Sequence, residues 1–229
     1  MRMNYEAKQL HPLYQRLSEQ KPLPNGTKEL LFATVTFDMK KATGKVQFKS
    51  RGTNMDYLKR ELDWYNSMSL EPPKGVAIWQ RVKSKHGKVN SNYGYLVFSK
   101  KNGSQFERAA EALRQDPYTR QAMLIYMRPS MHTDCHEDGM HDFVCTVYQQ
   151  FFIREGKLNC VTNMRSNDCV FGTMNDVPWF EHVYNLMYES LKSGVYPKLK
   201  KGWMAFAANS FHCYERHYEV LQKIAEEKV

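Results

Sequence analysis

Apolar residues recur at helical spacing from the start of the chain. Leu10, Leu13, Tyr14 and Leu17 share one face of a helix predicted from Tyr5 to Gln20, which Lys21-Pro-Leu-Pro-Asn-Gly26 ends. Leu30 to Phe37 is apolar and rich in β-formers, so it reads as a strand, and Lys40-Lys-Ala-Thr-Gly44 as a basic turn. Met55 to Ser67 returns to helical spacing through Leu58, Leu62 and Tyr65, with Glu61 beside that stripe rather than opposite it. A further helix runs from Ser104 to Arg114, turns Phe106, Ala110 and Leu113 inward, and closes at Asp116-Pro117.

The centre of the chain is β-rich. Ala122 to Met127 is one strand, and Phe143–Ile153 and Lys157–Met164 form a hairpin through Arg154-Glu-Gly156. Asp176 reads as the N-cap of a helix with Pro178 in its first turn and Phe180, Val183 and Met187 facing inward. Trp203 to Tyr214 is a last strand and Glu215 to Lys228 a last helix. Helices and strands are interspersed without regular βαβ alternation, which favours an α+β fold over a doubly wound one.

At 229 residues, with 42% hydrophobic and 25% charged residues, the chain suits one globular domain with a sizeable core, residues 1–229. Thirty-three Lys and Arg against 24 Asp and Glu leave a net charge of +9, which suits an anionic partner or a solvated basic surface. The five cysteines (135, 145, 160, 169 and 213) are odd in number and lack CxxC spacing. With no signal-like start and no apolar run near the roughly 20 residues of a membrane helix, they suggest free thiols in a reducing cytoplasm.

The densest chemistry lies in Asn163-Met-Arg-Ser-Asn-Asp-Cys-Val-Phe-Gly-Thr-Met-Asn-Asp176. A strand ending in Arg165 and Ser166 offers a cation and a hydroxyl to a phosphate. Asp176, eleven residues after that arginine, can read a base edge.

Four runs carry a resemblance: Lys59-Arg-Glu61-Leu-Asp-Trp-Tyr65; Asn90-Ser-Asn-Tyr93-Gly94; Arg128-Pro-Ser-Met131, continuing through Asp138-Gly-Met140 to Asp142-Phe-Val-Cys145-Thr146; and Asn163 to Asp176. His212-Cys-Tyr214 is a shorter echo. The chain resembles the thymidylate synthase superfamily, and within it the deoxycytidylate hydroxymethylases, over roughly residues 50 to 220. The resemblance implies a mixed β-sheet packed with helices.

It also implies roles. Cys145 matches a nucleophile that adds to C6 of a pyrimidine and makes C5 a nucleophilic enamine, and a nearby arginine is expected to depress its pKa. Thr146 follows it where the synthases carry His. Glu61 matches the general acid and base, its pKa raised by burial. Asp176 stands at the base-reading position. Uracil's N3–H and O4 suit an Asn amide, whereas a carboxyl sharing a proton with N3 and accepting from N4–H suits cytosine.

Arg165 and Ser166 match the phosphate clamp, and His212 and Tyr214 the residues that hold the sugar 3′-hydroxyl. Relatives add two arginines from the partner subunit of a homodimer; here Arg120 is present and Gln121 replaces the second. Lys40, Lys41 and Lys45 are candidates to compensate. The one-carbon donor is methylenetetrahydrofolate. Trp79 and Tyr93 would flank or order its pterin, with Tyr93 also placed among the catalytic residues; Asp168 would hydrogen-bond the ring and Gly172 permit close approach. The chain runs fifteen residues past Tyr214, without the long tail that covers the site in synthases, and a site open to water favours hydration to hydroxymethyl.

Other readings stand beside this one: a deoxycytidylate methyltransferase, a uridylate or ribonucleotide hydroxymethylase, and a basic nucleic-acid-binding module. The scattered basic residues argue against the last. His132, Cys135, His136 and His141 cluster without a common zinc spacing, so no metal is expected. Infected-cell cytoplasm is the setting the resemblance suggests, since such enzymes modify viral DNA precursors.

Overall fold

The computed structural model describes residues 3–228. Its elements are α1 (Tyr5–Ser18), β1 (Thr27–Asp38), α2 (Met55–Ser67), α3 (Ala77–Val82), α4 (Tyr93–Phe98), α5 (Gln105–Gln115), β2 (Met123–Ile125), α6 (Met131–Asp134), β3 (Thr146–Arg154), β4 (Lys157–Met164), β5 (Asn167–Asp168), α7 (Gly172–Lys192), β6 (Lys200–Tyr214) and α8 (Tyr218–Ala225). The strands form one mixed sheet in the order β1-β6-β4-β3-β2, with β5 beside β6. β4 and β5 run parallel to β6, and the other pairs are antiparallel. The expected α+β class is the one observed.

The register separates the two faces of the sheet. Val35, Phe206, Thr162, Gln149 and Leu124 lie in one row across five strands, and all but Val35 are fully buried. Gln149 donates from Nε2 to the Phe180 carbonyl of α7, 3.0 Å away, so this face lies under the helices. The neighbouring rows, Thr36-Ala205-Val161-Gln150-Met123 and Thr34-Ala207-Asn163-Tyr148-Ile125, point the other way. Thr34, Thr36 and Ile125 are exposed there, and most of the rest are half-buried. Period-2 alternation thus gives one packed face and one open face.

Helix α7 begins at Gly172, so Asp176 is not its N-cap and Pro178 lies inside it. Asp168 displaces the expected start: its Oδ1 accepts the N–H groups of Val170 at 2.8 Å and Phe171 at 3.4 Å, just ahead of the first turn. Pro178 cannot donate to the Met174 carbonyl four residues back. The Thr53 hydroxyl donates there instead, at 2.6 Å, so the helix continues through its proline. Two ends also move. Cys145 precedes β3 rather than lying within a strand from Phe143, and the last helix spans Tyr218–Ala225 after a 3₁₀ turn at Glu215–His217.

Among the described residues no helix is long and apolar enough to cross a membrane. The five cysteines are free.

Candidate active site

Strand pairing assembles one wall of the site. Thr146 opens β3 opposite Met164, at the end of β4, and the Arg165 N–H donates to the Cys145 carbonyl at 2.8 Å. The Arg165 side chain folds back along the same segment. Nε donates to the Val144 carbonyl at 2.9 Å and Nη2 to the Phe143 carbonyl at 2.8 Å, while Nη2 lies 3.5 Å from Cys145 Sγ. The guanidinium also stacks over the Phe143 ring, 4.6 Å from its centre. Next along the chain, β5 places Asp168 opposite His212 of β6. The Ser166 hydroxyl comes within 3.4 Å of His212 Nδ1, and the His212 ring meets Tyr214 edge-on at 5.0 Å. Cys145, Arg165, Ser166, Asp168, His212 and Tyr214 therefore share one end of the sheet.

The expected depression of the Cys145 pKa is not what the structure holds. Burial by the surrounding wall pushes the thiol up to about 11, and the Asp176 and Asp142 charges add to that rise. Arg165 pulls the other way without winning.

A second wall comes from α2. Glu61 is buried, and its Oε1 accepts from the Trp79 indole N–H at 2.9 Å and the Tyr57 hydroxyl at 3.2 Å. Tyr57 lies one turn before Glu61 on the same face. Burial raises the carboxyl to about 7, and the donors Trp79, Tyr57 and Tyr65 offset part of the rise. Trp79 packs on Trp64 at 5.5 Å between ring centres.

Tyr65 stacks on Tyr93 at 5.3 Å, and this contact fixes α4 against α2. A Cβ at Gly94 would lie 1.9 Å from the Tyr65 carbonyl oxygen, so glycine is what lets the two backbones meet. Asn92 caps α4: its Oδ1 accepts the Tyr95 N–H at 2.7 Å, and its Nδ2 donates to the Trp64 and Ser69 carbonyls. The buried Asp142 ties this segment to the strand leading to Cys145. Its carboxylate takes the N–H groups of Asn90 and Ser91, each at 2.7 Å, and the Ser91 hydroxyl at 2.6 Å. Tyr93 is buried, with its hydroxyl toward Thr146, Cys145 and Asp176.

Asp176 projects from α7 between these walls. Burial pushes its carboxyl well above the usual range, and the Glu61 and Asp168 charges push it further. Asn167 opposes that with a 2.8 Å hydrogen bond from Nδ2 to Asp176 Oδ2. A Cβ at Gly172 would sit 3.1 Å from Asn167 Nδ2 and 3.2 Å from Asp176 Oδ2, so the close approach there is between those two side chains.

Cys145, Glu61, Asp176, Tyr93, Arg165, Ser166, His212, Tyr214, Trp79, Asp168 and Gly172 are thus linked, through these contacts and charges, at one end of the sheet. Arg120 is not brought to it. It is exposed beyond α5, its carbonyl held at 2.7 Å by Gln150 Nε2, at the rim of the open sheet face. Among the described residues no group of three or more His, Cys, Asp or Glu is arranged to hold a metal ion.

Sequence reasoning missed Tyr57, Asn167 and Asp142. The four-residue step from Tyr57 to Glu61 on a helix was the available signal for the first. Asn167 has its partners Met164, Thr173 and Asp176 within the run that carries the resemblance, whereas nothing in the local pattern marks Asp142, whose partners Asn90 and Ser91 come from a distant segment.

The residues suited to folate are Trp79, half-buried with its N–H already spent on Glu61, and Asp168, whose second oxygen is free of the turn that Oδ1 caps. An aromatic face and an available carboxylate oxygen are the groups a pterin with ring N–H donors would use.

A family model described as thymidylate synthase matches residues 19–229. The deoxycytidylate 5-hydroxymethyltransferase of Enterobacteria phage T4 is 42% identical over 173 residues, which cover 72% of this chain and 69% of that protein. The phage T6 protein of the same name shares the same identity and coverage. The thymidylate synthase of Clostridium beijerinckii is 26% identical over 161 residues, 70% of this chain and 56% of that protein.

Proposed function

The chain belongs to the thymidylate synthase family, and we propose that it hydroxymethylates deoxycytidylate at C5 as a single catalytic domain. The observation that carries this reading is the carboxyl of Asp176, held toward its protonated form by burial and coupled electrostatically to Cys145 and Glu61. A protonated carboxyl donates to N3 of cytosine, accepts from its N4–H and can pass its proton to N3 as the ring takes up charge, which an amide cannot do. The 42% identity to phage enzymes named for this reaction supports the same choice over thymidylate synthesis.

In this mechanism Arg165 and Ser166 meet the phosphate, and His212 and Tyr214 meet the sugar. Cys145 Sγ bonds to C6 while its proton passes to solvent. The electron pair gained by the ring is delocalised toward N3, where the proton shared with Asp176 neutralises it. Methylenetetrahydrofolate, which Trp79 and Asp168 would hold, would supply the one-carbon unit to C5, with tetrahydrofolate as the leaving group. Glu61, about half ionised at pH 7, removes the proton from C5 as that leaving group departs and then serves the oxygen of the incoming water. Water adds to the exocyclic methylene, and release of Cys145 restores the aromatic ring.

The active form in this reading is a homodimer. The open sheet face, lined by Thr34, Thr36, Ala205, Val161, Tyr148 and Ile125, supports it, as does the exposure of Arg120 beside that face. The setting is the cytoplasm of an infected cell.

The test is folate-dependent tritium release from C5-labelled deoxycytidylate, with mass analysis of the product nucleotide. Hydroxymethyldeoxycytidylate is expected from the wild type and no turnover from Cys145→Ser. Asp176→Asn should move preference toward deoxyuridylate. A methylated product, an active serine variant, or unchanged cytosine preference in Asp176→Asn would overturn the assignment.

A further inference from the structure

Asn167 is nearly inaccessible, yet every polar atom of its amide is engaged. The Thr173 hydroxyl donates to Oδ1 at 2.5 Å; Nδ2 donates to Asp176 Oδ2 at 2.8 Å and reaches Met164 Sδ at 3.4 Å. The hydroxyl fixes the amide's orientation, because turning it over would set its carbonyl against the Asp176 oxygen. Gly172 leaves the room: any Cβ there would press within 3.1 to 3.2 Å of both partners.

We propose that Asn167, held by Thr173, is the positioning residue that decides which oxygen of Asp176 carries its proton, and that this makes the carboxyl a reader of cytosine. The inference rests on the base-reading role given above to Asp176. An N–H directed into Oδ2 occupies one of its lone pairs and disfavours a proton there, so the acid proton belongs on Oδ1. A base meeting Asp176 then finds an O–H donor for N3 on Oδ1 and an acceptor for N4–H in the remaining lone pair of Oδ2. Without Asn167 the proton is shared between the two oxygens, and half of the carboxyl states present the wrong pattern. The same N–H favours the ionised carboxylate, against the burial and the Glu61 and Asp168 charges that raise it, so its loss holds Asp176 protonated to higher pH.

The experiment measures equilibrium binding of deoxycytidylate and of deoxyribose 5-phosphate, which lacks the base, from pH 5 to 9. It uses the full chain and its Asn167→Leu, Thr173→Val and Thr173→Ser variants. With half of the protonated states presenting the wrong pattern, Asn167→Leu should bind deoxycytidylate roughly twofold more weakly below the alkaline limb. Deoxyribose 5-phosphate should be unchanged, and the alkaline limb of deoxycytidylate binding should move to higher pH. Thr173→Val should shift both readouts the same way by less, and Thr173→Ser, which keeps the hydroxyl, should restore wild-type behaviour.

Equal weakening of both ligands, or an unmoved alkaline limb, would overturn the assignment and leave Asn167 a packing residue. Should Asn167→Leu fail to fold, the contrast between Thr173→Val and Thr173→Ser decides: a difference supports the proposal and identity refutes it. A wild type that releases no tritium from C5 of deoxycytidylate breaks the underlying functional reading. A working wild type with unaltered variants breaks this inference alone.

Discussion

Glu181 offers the most quantitative handle on the fold. It lies on α7, buried, facing Glu6 of α1. Glu6 is saturated with donors: the Thr43 N–H, the Thr43 hydroxyl at 2.9 Å and Asn4 Nδ2 at 2.7 Å. Glu181 Oε2 takes the Gly44 N–H at 2.8 Å, but its Oε1 is buried without a donor. Burial, an oxygen without a donor and the facing Glu6 carboxyl therefore favour a proton on Glu181.

Burial and the Glu6 charge raise Glu181 to about 8, with the Gly44 N–H and the Lys201 ammonium opposing. An acid whose folded pKa exceeds its unfolded value of 4.5 contributes stability fully present below pH 4.5, which is lost as pH rises through 8. At about 1.4 kcal/mol per pH unit over the rise from 4.5 to about 8, the loss is on the order of 5 kcal/mol. That corresponds to roughly 10 to 20 °C in Tm for a chain of this size.

Glu181→Gln supplies an amide N–H to Glu6 in place of the Glu181 proton and keeps an oxygen for Gly44. It should match the wild type within about 1 kcal/mol at pH 5 and exceed it at pH 9 by most of the calculated loss. Urea unfolding midpoints of both proteins at pH 5, 7 and 9 read this difference, and taking the difference removes the alkaline losses that Glu61 and Asp176 add with the same sign. Parallel stability curves for the two proteins would refute a proton on Glu181.

Two further outcomes follow from the same reasoning. Trp79→Phe removes the indole N–H from Glu61 Oε1, and since that donor holds the carboxyl down, the Glu61 limb of the pH–rate profile for tritium release should move above 7, by up to about one unit. Gly94→Ala would force a Cβ to 1.9 Å from the Tyr65 carbonyl, so it should destabilise the fold by about 3 kcal/mol or more and abolish turnover by displacing Tyr93, both measurable by thermal unfolding beside activity.

Long amphipathic segments were legible from the chain alone. The stripe of Leu58, Leu62 and Tyr65 marks α2 at its observed limits, Met55 and Ser67, because helical spacing needs no knowledge of partners. The hairpin of β3 and β4 follows in the same way from its Glu-Gly turn. Asp176 misled as an N-cap because acid-then-proline is a sound local signal, and the groups that override it, the Asp168 carboxylate and the Thr53 hydroxyl, act from outside the pattern. The short helix α4 was invisible for a related reason: six residues carry little periodicity, and Asn92 sustains it through carbonyls of the α2 segment. Motif residues far apart in the chain, such as Cys145 and Arg165, or Asp168 and His212, are brought together by strand pairing. What spacing could not supply was sign. An arginine 3.5 Å from a thiol reads as an activator until the enclosing wall and two acids are weighed against it.

That balance bears on how the cleft is set before a nucleotide arrives. Asp176 and Asp142 lie near Cys145, and a standing thiolate would face their like charges in a buried setting. With the thiol near 11, roughly one molecule in ten thousand carries the thiolate at pH 7. Arg165 cannot swing away to relieve or worsen this, since the Val144 and Phe143 carbonyls hold its Nε and Nη2. The resting site therefore keeps a proton on the Cys145 sulfur and favours one on Asp176. Addition to C6 must be coupled to their redistribution: the thiol proton departs as the proton at Asp176 moves toward N3, so the negative charge created at one atom is neutralised at another. A pocket so arranged disfavours an idle nucleophile and favours one that ionises when a cytosine ring is present to receive its electrons.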